Sequence, residues 1–99
     1  MIDLLFVTAP RCRHCAHGRD VLTALASDLP LRWREVELDS GEGRDLLARW
    51  RAPFPPLLIL EGPEGSAELL GHGRLSRRRL ARQLGTRVSA LADAGEVER

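Results

Sequence analysis

The sequence predicts an α/β fold in which a four-stranded mixed sheet is flanked by helices, with the element order β-α-β-α-β-β-α. Two observations predict it. Short apolar runs of strand length alternate with segments whose apolar residues recur every three or four positions. A turn rich in glycine and proline, residues 61–65, separates the last two apolar runs, so these strands are expected to form a hairpin. Strands that alternate with helices in this way are typical of an α/β sandwich.

The first third of the chain predicts a βαβ unit. Residues 2–8 form a mostly apolar run bounded by Pro10, which is typical of a central strand buried on both faces. From Cys15 to Leu29 apolar residues recur at helical spacing, and this helix must end before Pro30. Residues 31–38 alternate imperfectly between apolar and charged, as expected of a partly exposed strand.

The next segment predicts a helix and then a hairpin. Asp39 or Ser40 can cap a helix whose apolar face holds Leu46, Leu47 and Trp50. Residues 57–60 form a short apolar strand, and residues 67–70 can pair back with it. We expect the glycines on either side of His72 to break this last strand.

Ser76 is a suitable N-cap for a final helix, and Leu80, Ala81 and Leu84 mark its inner face. Gly85 is expected to close that helix. The predicted domain therefore covers residues 1–85, and residues 86–99 form a C-terminal extension that is partly helical and then frayed.

The amino-acid composition excludes several classes of function. The 99 residues are 43% hydrophobic and 29% charged, in the range of one globular domain. The net charge is only +1, so overall charge gives no support for nucleic-acid binding. No run approaches the ~20 apolar residues that cross a bilayer, and the apolar N-terminal stretch is too short for a signal-peptide core. We expect a cytoplasmic monomer that contacts neither membrane nor nucleic acid.

The sequence Cys12-Arg13-His14-Cys15 is the feature that carries chemistry. In a reducing compartment this spacing is more often catalytic or metal-binding than structural. It lies between the first strand and the first helix, where unpaired backbone N–H groups and the helix dipole stabilise a thiolate. With Arg11, Arg13 and His14 nearby, we expect the pKa of Cys12 to fall below the ordinary value of about 8.5. Cys15, one turn later, should be shielded.

Metal binding is the first rival reading, because His14 and His17 crowd the two cysteines. A tetrahedral zinc site usually draws its ligands from two separated pairs, and the sequence has no second Cys or His pair. Haem attachment requires a histidine directly after the second cysteine, where this chain has Ala16. We therefore predict no metal site.

The chain resembles glutaredoxin and its small thioredoxin-fold relatives over roughly residues 1–84. The resemblance rests on a first strand, the cysteine segment at residues 9–15, the helix that follows it, and a proline pair before a late strand. The resemblance implies a cis-proline that faces the cysteines, preceded by a residue whose backbone pairs with substrate. By position that proline is expected to be Pro55, with Phe54 before it, and Pro56 is the alternative. Phe54, Pro55 and Pro56 are thus the candidate substrate-binding residues.

The chain departs from glutaredoxins in the glutathione-binding segments. The usual Lys before the cysteines, the Tyr near the pair, the Thr-Val-Pro segment and the Gly-Gly with a following Asp are absent in that form. The resemblance aligns Gly71 and Gly73 with the glycine pair, and Arg74 or Arg77 could bind a carboxylate. We expect no resident cofactor, with glutathione as a conceivable co-substrate through Gly71, Gly73 and Arg74.

These features predict a thiol-disulfide oxidoreductase in which Cys12 attacks a substrate disulfide and Cys15 resolves the mixed disulfide. The expected partners are a disulfide-containing protein or a glutathione mixed disulfide, and a reductase or glutathione that recycles the pair. Two alternatives stay open. One is a glutathione-dependent iron-sulfur cluster carrier, and the other is a non-catalytic thioredoxin-fold binding module, which the intact cysteine pair disfavours.

Overall fold

The structure is a computed structural model that describes the backbone of residues 1–97 and the side chains of residues 1–89. Its elements follow the predicted order, with one short 3₁₀ turn at Pro63–Gly65 inside the hairpin. The strands and helices are β1 Ile2–Thr8, α1 Arg13–Ala26, β2 Leu31–Glu37, α2 Gly41–Arg49, β3 Leu57–Glu61, β4 Ala67–His72 and α3 Arg77–Val97. None of the described helices is long and apolar enough to span a membrane.

The four strands form one mixed sheet in the order β2-β1-β3-β4. The parallel β1–β2 pair is the product of the right-handed βαβ connection through α1, and β3 runs antiparallel to both β1 and β4. The central strand β1 is apolar throughout except at Asp3 and Thr8, as expected of a strand covered on both faces.

Each face of the sheet has its own core. On one face Ile2, Leu4 and Phe6 pack against α1 and α3, and on the other face Leu5 and Val7 pack under α2. The alternation of β1 residues between the two clusters follows from the two-residue period of a strand. Helices on both faces of a mixed sheet confirm the predicted fold class.

The register brings three chain segments to one edge of the sheet. Val7 near the end of β1 pairs with Leu57 at the start of β3, and Leu57 pairs with His72 at the end of β4. The loops that follow β1, precede β3 and follow β4 therefore lie side by side. The helices α1 and α3 both begin at this edge, because each follows directly from one of these strands.

Three predicted boundaries are wrong: the C-terminal ends of α1, β4 and α3. Helix α1 ends at Ala26 rather than near Leu29, because Ser27 bonds the Ala24 carbonyl through both its hydroxyl and its N–H. Strand β4 runs on to His72, since Gly71 still pairs with Leu58. A side chain at Gly71 would lie 2.7 Å from a methyl group of Leu75, so this glycine accommodates a close contact and does not end the strand.

Helix α3 does not end at Gly85. It continues to Val97, and Gly85 lacks the left-handed backbone that a glycine helix end adopts. Val88, one turn later, packs against the core and favours continuation of the helix. The division between residues 1–85 and 86–99 thus falls inside one helix, and the predicted frayed tail lies outside the described residues in positions 98–99.

Two glycines in α2 allow a matched test of how closely this helix packs against the end of β2. A Cβ at Gly43 would lie 2.0 Å from the Glu37 carbonyl oxygen, whereas a Cβ at Gly41 meets nothing within 4 Å. Because backbone cannot move aside cheaply, Gly43→Ala is expected to lower the free energy of unfolding by about 2 kcal/mol or more. Gly41→Ala should leave it unchanged or raise it by up to about 1 kcal/mol. Urea denaturation of the two variants measures both changes, and equal effects would contradict this packing.

Candidate active site

Cys12 and Cys15 are joined by a disulfide, with their Cα atoms 5.1 Å apart. Cys12 is the N-cap of α1, and the backbone N–H of Cys15 donates to Cys12 Sγ at 3.1 Å. Asp, Ser and Thr use their side-chain oxygens in this way at helix starts. Here a sulfur takes that place. The Cys15 N–H, which has no partner within the helix, and the positive end of the helix dipole therefore both stabilise negative charge on this sulfur.

The two sulfur-bearing residues differ in access to solvent. Cys15 is buried, with only 1% of its surface exposed, whereas Cys12 is partly exposed. The difference follows from the helix: residue 15 lies one turn inside α1 and on the side that faces the core, near Gly18 and Leu22. A docking molecule can therefore reach Cys12 without a rearrangement of the core, whereas Cys15 is almost entirely covered.

The three residues predicted to tune the thiolate all lie at the surface beside the pair. Arg11, Arg13 and His14 are exposed, and among the described residues none of them forms an ion pair. Arg11 adopts a left-handed backbone with a φ of 56° directly before Cys12. The cationic side chains are thus free to approach a negative charge at the site.

A cavity of about 440 Å³ opens onto both cysteines. Arg11, Arg13 and Arg19 line it, and Arg19 is bound to Glu35 by two hydrogen bonds of 2.5 and 3.0 Å. The hydrogen bonds and charge of Glu35 raise the pKa of Arg19. No Asp or Glu is among the described residues of the cavity wall.

The proline pair lies at the same edge of the sheet, directly before β3. The cis peptide bond is the one between Pro55 and Pro56, so the expectation that Pro55 is the cis residue is wrong and the alternative, Pro56, is correct. The residue before it is accordingly Pro55 and not Phe54. The sequence could not decide this, because both prolines follow a residue that permits a cis bond.

Two of the three carbonyl groups at residues 54–56 are already hydrogen-bonded within the protein. The Phe54 carbonyl is bonded to His72 Nε2 at 2.8 Å, and the Pro56 carbonyl accepts from the Gly73 N–H, also at 2.8 Å. Neither proline has a backbone N–H. Of the three carbonyl groups at residues 54–56, that of Pro55 is the one for which no hydrogen bond to a described residue is found.

His72 is a residue of the site that the sequence analysis missed. Its ring lies 4.6 Å from the ring of Phe54, centroid to centroid, in a tilted arrangement. Because a carbonyl only accepts, Nε2 must carry a proton to bond Phe54. The stack and the hydrogen bond together fix the start of the proline loop, although Phe54 itself remains 49% exposed. Its only sequence signal was a polar aromatic residue between two glycines.

The proposed glutathione contacts are only partly available. Gly71 lies in β4 opposite Leu58 of β3, and the Gly73 N–H donates to the Pro56 carbonyl. Gly73 has a φ of 74°, a conformation in which glycine is favoured, and its backbone serves the loop rather than a ligand. Arg74 is exposed and lines a second cavity, of about 340 Å³, with His17 and Arg77.

The histidines near the cysteines are not arranged around a common centre. His14 is exposed, and His17 Nε2 lies 3.1 Å from the Leu75 carbonyl oxygen, on the side of α1 that faces the start of α3. In the part of the chain with described side chains, no group of three or more His, Cys, Asp or Glu residues is placed to bind a metal ion.

Comparison with solved structures identifies the fold. A thioredoxin variant from Halobacterium salinarum matches with a TM-score of 0.70 at 19% identity, covering 88% of this chain and 74% of that one. Mitochondrial thioredoxin 3 of Saccharomyces cerevisiae matches with 0.63 at 22%, covering 86% and 77%. The oxidised C-terminal domain of DsbD from Neisseria meningitidis matches with 0.61 at 16%, covering 86% and 78%. The chain therefore has the thioredoxin fold.

Sequence comparison gives one curated relative. A segment of 46 residues, 46% of this chain, is 46% identical to the "Thiol:disulfide interchange protein DsbD" of Pseudomonas fluorescens. The match spans 8% of the length of that relative. No protein-family model matches the chain. The thioredoxin-fold part of the predicted resemblance is confirmed, and these comparisons do not single out glutaredoxins within it.

Proposed function

We propose that this protein is a thiol-disulfide oxidoreductase that exchanges disulfides through Cys12 and Cys15. One observation carries the proposal: a bonded cysteine pair at the start of α1 in which one sulfur is accessible and accepts a backbone N–H, while the other is buried. The name of the bacterial relative, a thiol:disulfide interchange protein, supports the same chemistry.

The reaction starts from the reduced pair. The Cys12 thiolate attacks one sulfur of a substrate disulfide, forms a mixed disulfide and releases the other substrate sulfur as a thiolate, which takes up a proton. Cys15, as its thiolate, then attacks Cys12 Sγ. This step forms the Cys12–Cys15 bond and releases the second substrate thiol. Two electrons have then moved from the protein to the substrate.

The site lowers the energy of the attacking form of Cys12. The Cys15 N–H and the helix dipole stabilise negative charge on Sγ, and Arg11 and Arg13 are exposed beside it. In the second step Cys12 Sγ is the sulfur that is attacked, and the substrate thiolate is the leaving group. The groups that stabilise the Cys12 thiolate therefore act on the first step of the exchange.

The proline loop supplies the docking surface. Phe54 and Pro55 present an apolar surface, and the Pro55 carbonyl can accept a hydrogen bond from the backbone of a substrate. This assigns the backbone contact to Pro55 instead of Phe54, whose carbonyl is bound to His72.

Recycling requires an external dithiol or thiol that supplies two electrons for each turnover, either a reductase or glutathione. The position of Gly73 favours a reductase, since its N–H is bonded to the Pro56 carbonyl and cannot serve glutathione. The same proposal includes action in the cytoplasm, as a monomer and without a resident cofactor. In that reducing compartment, catalysis is a common use of two neighbouring cysteines.

The decisive experiment combines a redox titration with turnover. The cysteine pair should titrate as one two-electron couple, and the reduced protein should reduce a protein disulfide in catalytic amounts when a chemical dithiol is supplied. Absence of turnover with protein and glutathione disulfides alike would refute the proposal. A visible chromophore after anaerobic reconstitution with iron, sulfide and glutathione would instead favour the cluster carrier.

His72 gives a test of the docking loop. His72→Ala removes the donor to the Phe54 carbonyl and the ring that stacks on Phe54, so the loop should lose its fixed position. We expect KM for a protein disulfide to rise about tenfold, the cost of roughly one hydrogen bond and one stacking contact, with kcat little changed.

His72→Gln, which keeps a donor, should recover part of the loss. The rate at which uncharged iodoacetamide modifies reduced Cys12 should be the same in both variants. An unchanged KM in His72→Ala would show that His72 has no positioning role.

A further inference from the structure

Charge is distributed unevenly over this nearly neutral protein. The cavity at the cysteine pair is lined by Arg11, Arg13 and Arg19, with no Asp or Glu among its described residues. Arg19 is neutralised by Glu35, which leaves Arg11 and Arg13 as exposed cations without an ion pair among the described residues. The wall next to the reactive sulfur therefore carries uncompensated positive charge.

A second cavity extends this basic surface. It lies at the start of α3, where Arg74 and Arg77 line it together with His17 of α1. Both arginines are exposed, and neither forms an ion pair among the described residues. Because α1 contributes to both cavities, cations flank the beginning of this helix on two sides.

Acidic residues are placed elsewhere. The large cavity at the opposite edge of the sheet is lined by Asp3, Glu61 and Glu68 together with Arg87. Near the cysteine edge, Glu37 ends β2 and Asp39 follows it, but neither lines either of the two basic cavities. With a net charge of only +1, the basic edge reflects the arrangement of charges and not an excess of them.

Two arginines without ion-pair partners beside a reactive sulfur can attract an anionic substrate as well as stabilise the thiolate. Arginine binds carboxylates in a two-pronged geometry, and a cleft lined by one sign of charge speeds the approach of ligands of the opposite sign. The cavity at the cysteine pair is large enough, at about 440 Å³, to admit side chains of a docked segment.

We infer that the preferred substrate of this site is a polypeptide disulfide flanked by acidic residues, whose carboxylates bind Arg11 and Arg13 while its backbone lies along Phe54 and Pro55. The inference rests on the proposed function and names its substrate class. A polypeptide disulfide is favoured over a small-molecule disulfide because of two groups at the cysteine end of the sheet. The exposed Phe54 ring offers an apolar contact, and the Pro55 carbonyl offers a hydrogen bond to a peptide backbone.

The test uses three peptides of one length and one disulfide, flanked by Glu, Gln or Lys. With the protein kept reduced by a chemical dithiol at low ionic strength, kcat/KM is expected to be about tenfold higher for the Glu peptide than for the Gln peptide, and lowest for the Lys peptide. The preference should shrink strongly at high salt, where charges are screened. Oxidised glutathione serves as the small acidic disulfide and should react more slowly than the Glu peptide.

The matched variants separate the arginines from general charge. Arg11→Asn combined with Arg13→Gln should reduce the Glu-to-Gln ratio to near one; Asn is chosen at residue 11 because it tolerates a left-handed backbone. Arg82→Gln removes an exposed cation that lines neither cavity, and it should keep the ratio. The ratio, unlike the absolute rate, is not moved by a change in the reactivity of Cys12.

Three outcomes would overturn the inference: equal kcat/KM for all three peptides, a Glu preference that survives in the double variant, or faster reduction of oxidised glutathione than of the Glu peptide. In each of these the peptides are still turned over, so the proposed function stands. Failure to reduce any disulfide, the neutral Gln peptide included, would instead refute the function itself.

Discussion

Cys12→Ser is expected to abolish disulfide exchange, with turnover falling by at least about 10³-fold to the uncatalysed background. The hydroxyl of serine is not ionised at neutral pH and cannot form a mixed disulfide, so neither step of the exchange can start. Stability should hardly change, because serine is a favoured N-cap and its oxygen can accept the same Cys15 N–H that now donates to Cys12 Sγ.

This separation of activity from stability is what makes the variant informative. Reduced wild-type protein is the reference for urea denaturation, since the disulfide is absent in both. Residual turnover within tenfold of the wild type would mean that a sulfur other than Cys12 attacks the substrate. A large loss of stability would mean that the helix start depends on sulfur in a way that the geometry does not indicate.

Cys15→Ala should convert the protein into a trap for its substrate. Cys12 can still attack, but no second thiol is present to resolve the mixed disulfide, so one equivalent of substrate stays bound through Cys12. Alanine is chosen over serine because residue 15 is 1% exposed, and a hydroxyl there would need a buried partner.

The trapped species is measured by mass spectrometry in the absence of other thiols. The expected result is an adduct of protein plus one substrate molecule, located at Cys12, that a reducing agent releases. The wild type should accumulate little of it, because Cys15 resolves the adduct. Release of the substrate from Cys15→Ala as free thiols, with no adduct at Cys12, would show that Cys15 is not the resolving thiol.

The periodicity of apolar residues was enough to predict the fold, and the reason is visible in β1. A run covered on both faces has no polar alternation, and residues 2–8 are buried in that way by α1 and α3 on one side and α2 on the other. Once β1 and α1 were placed, the cysteines had to lie at the junction between them. Their position at the helix start therefore follows from local sequence.

Helix and strand ends were less predictable because they depend on tertiary contacts. Gly85 carries the ordinary sequence signal of a helix end, but Val88 packs against the core and the helix continues. Gly71 carries the signal of a break, but it pairs with Leu58 and the strand continues to His72. In both cases a tertiary contact outweighs the local preference.

The docking loop was the part of the site that sequence could least specify. Two adjacent prolines have similar local preferences, so the choice between Pro55 and Pro56 depends on the surrounding structure. The role of His72 depends on the β3–β4 register, which places it opposite the loop, and a single histidine between glycines gives no indication of this.

The central claim is that Cys12 is the accessible, activated sulfur and Cys15 the shielded one. Its most direct test is alkylation of the reduced wild-type protein by iodoacetamide from acid to alkaline pH, with the modification of each cysteine quantified by mass spectrometry. The account predicts that Cys12 reacts far faster than Cys15 at every pH, with a midpoint clearly below the ordinary thiol value of about 8.5. Equal reactivity of the two cysteines, or an ordinary midpoint for Cys12, would contradict it.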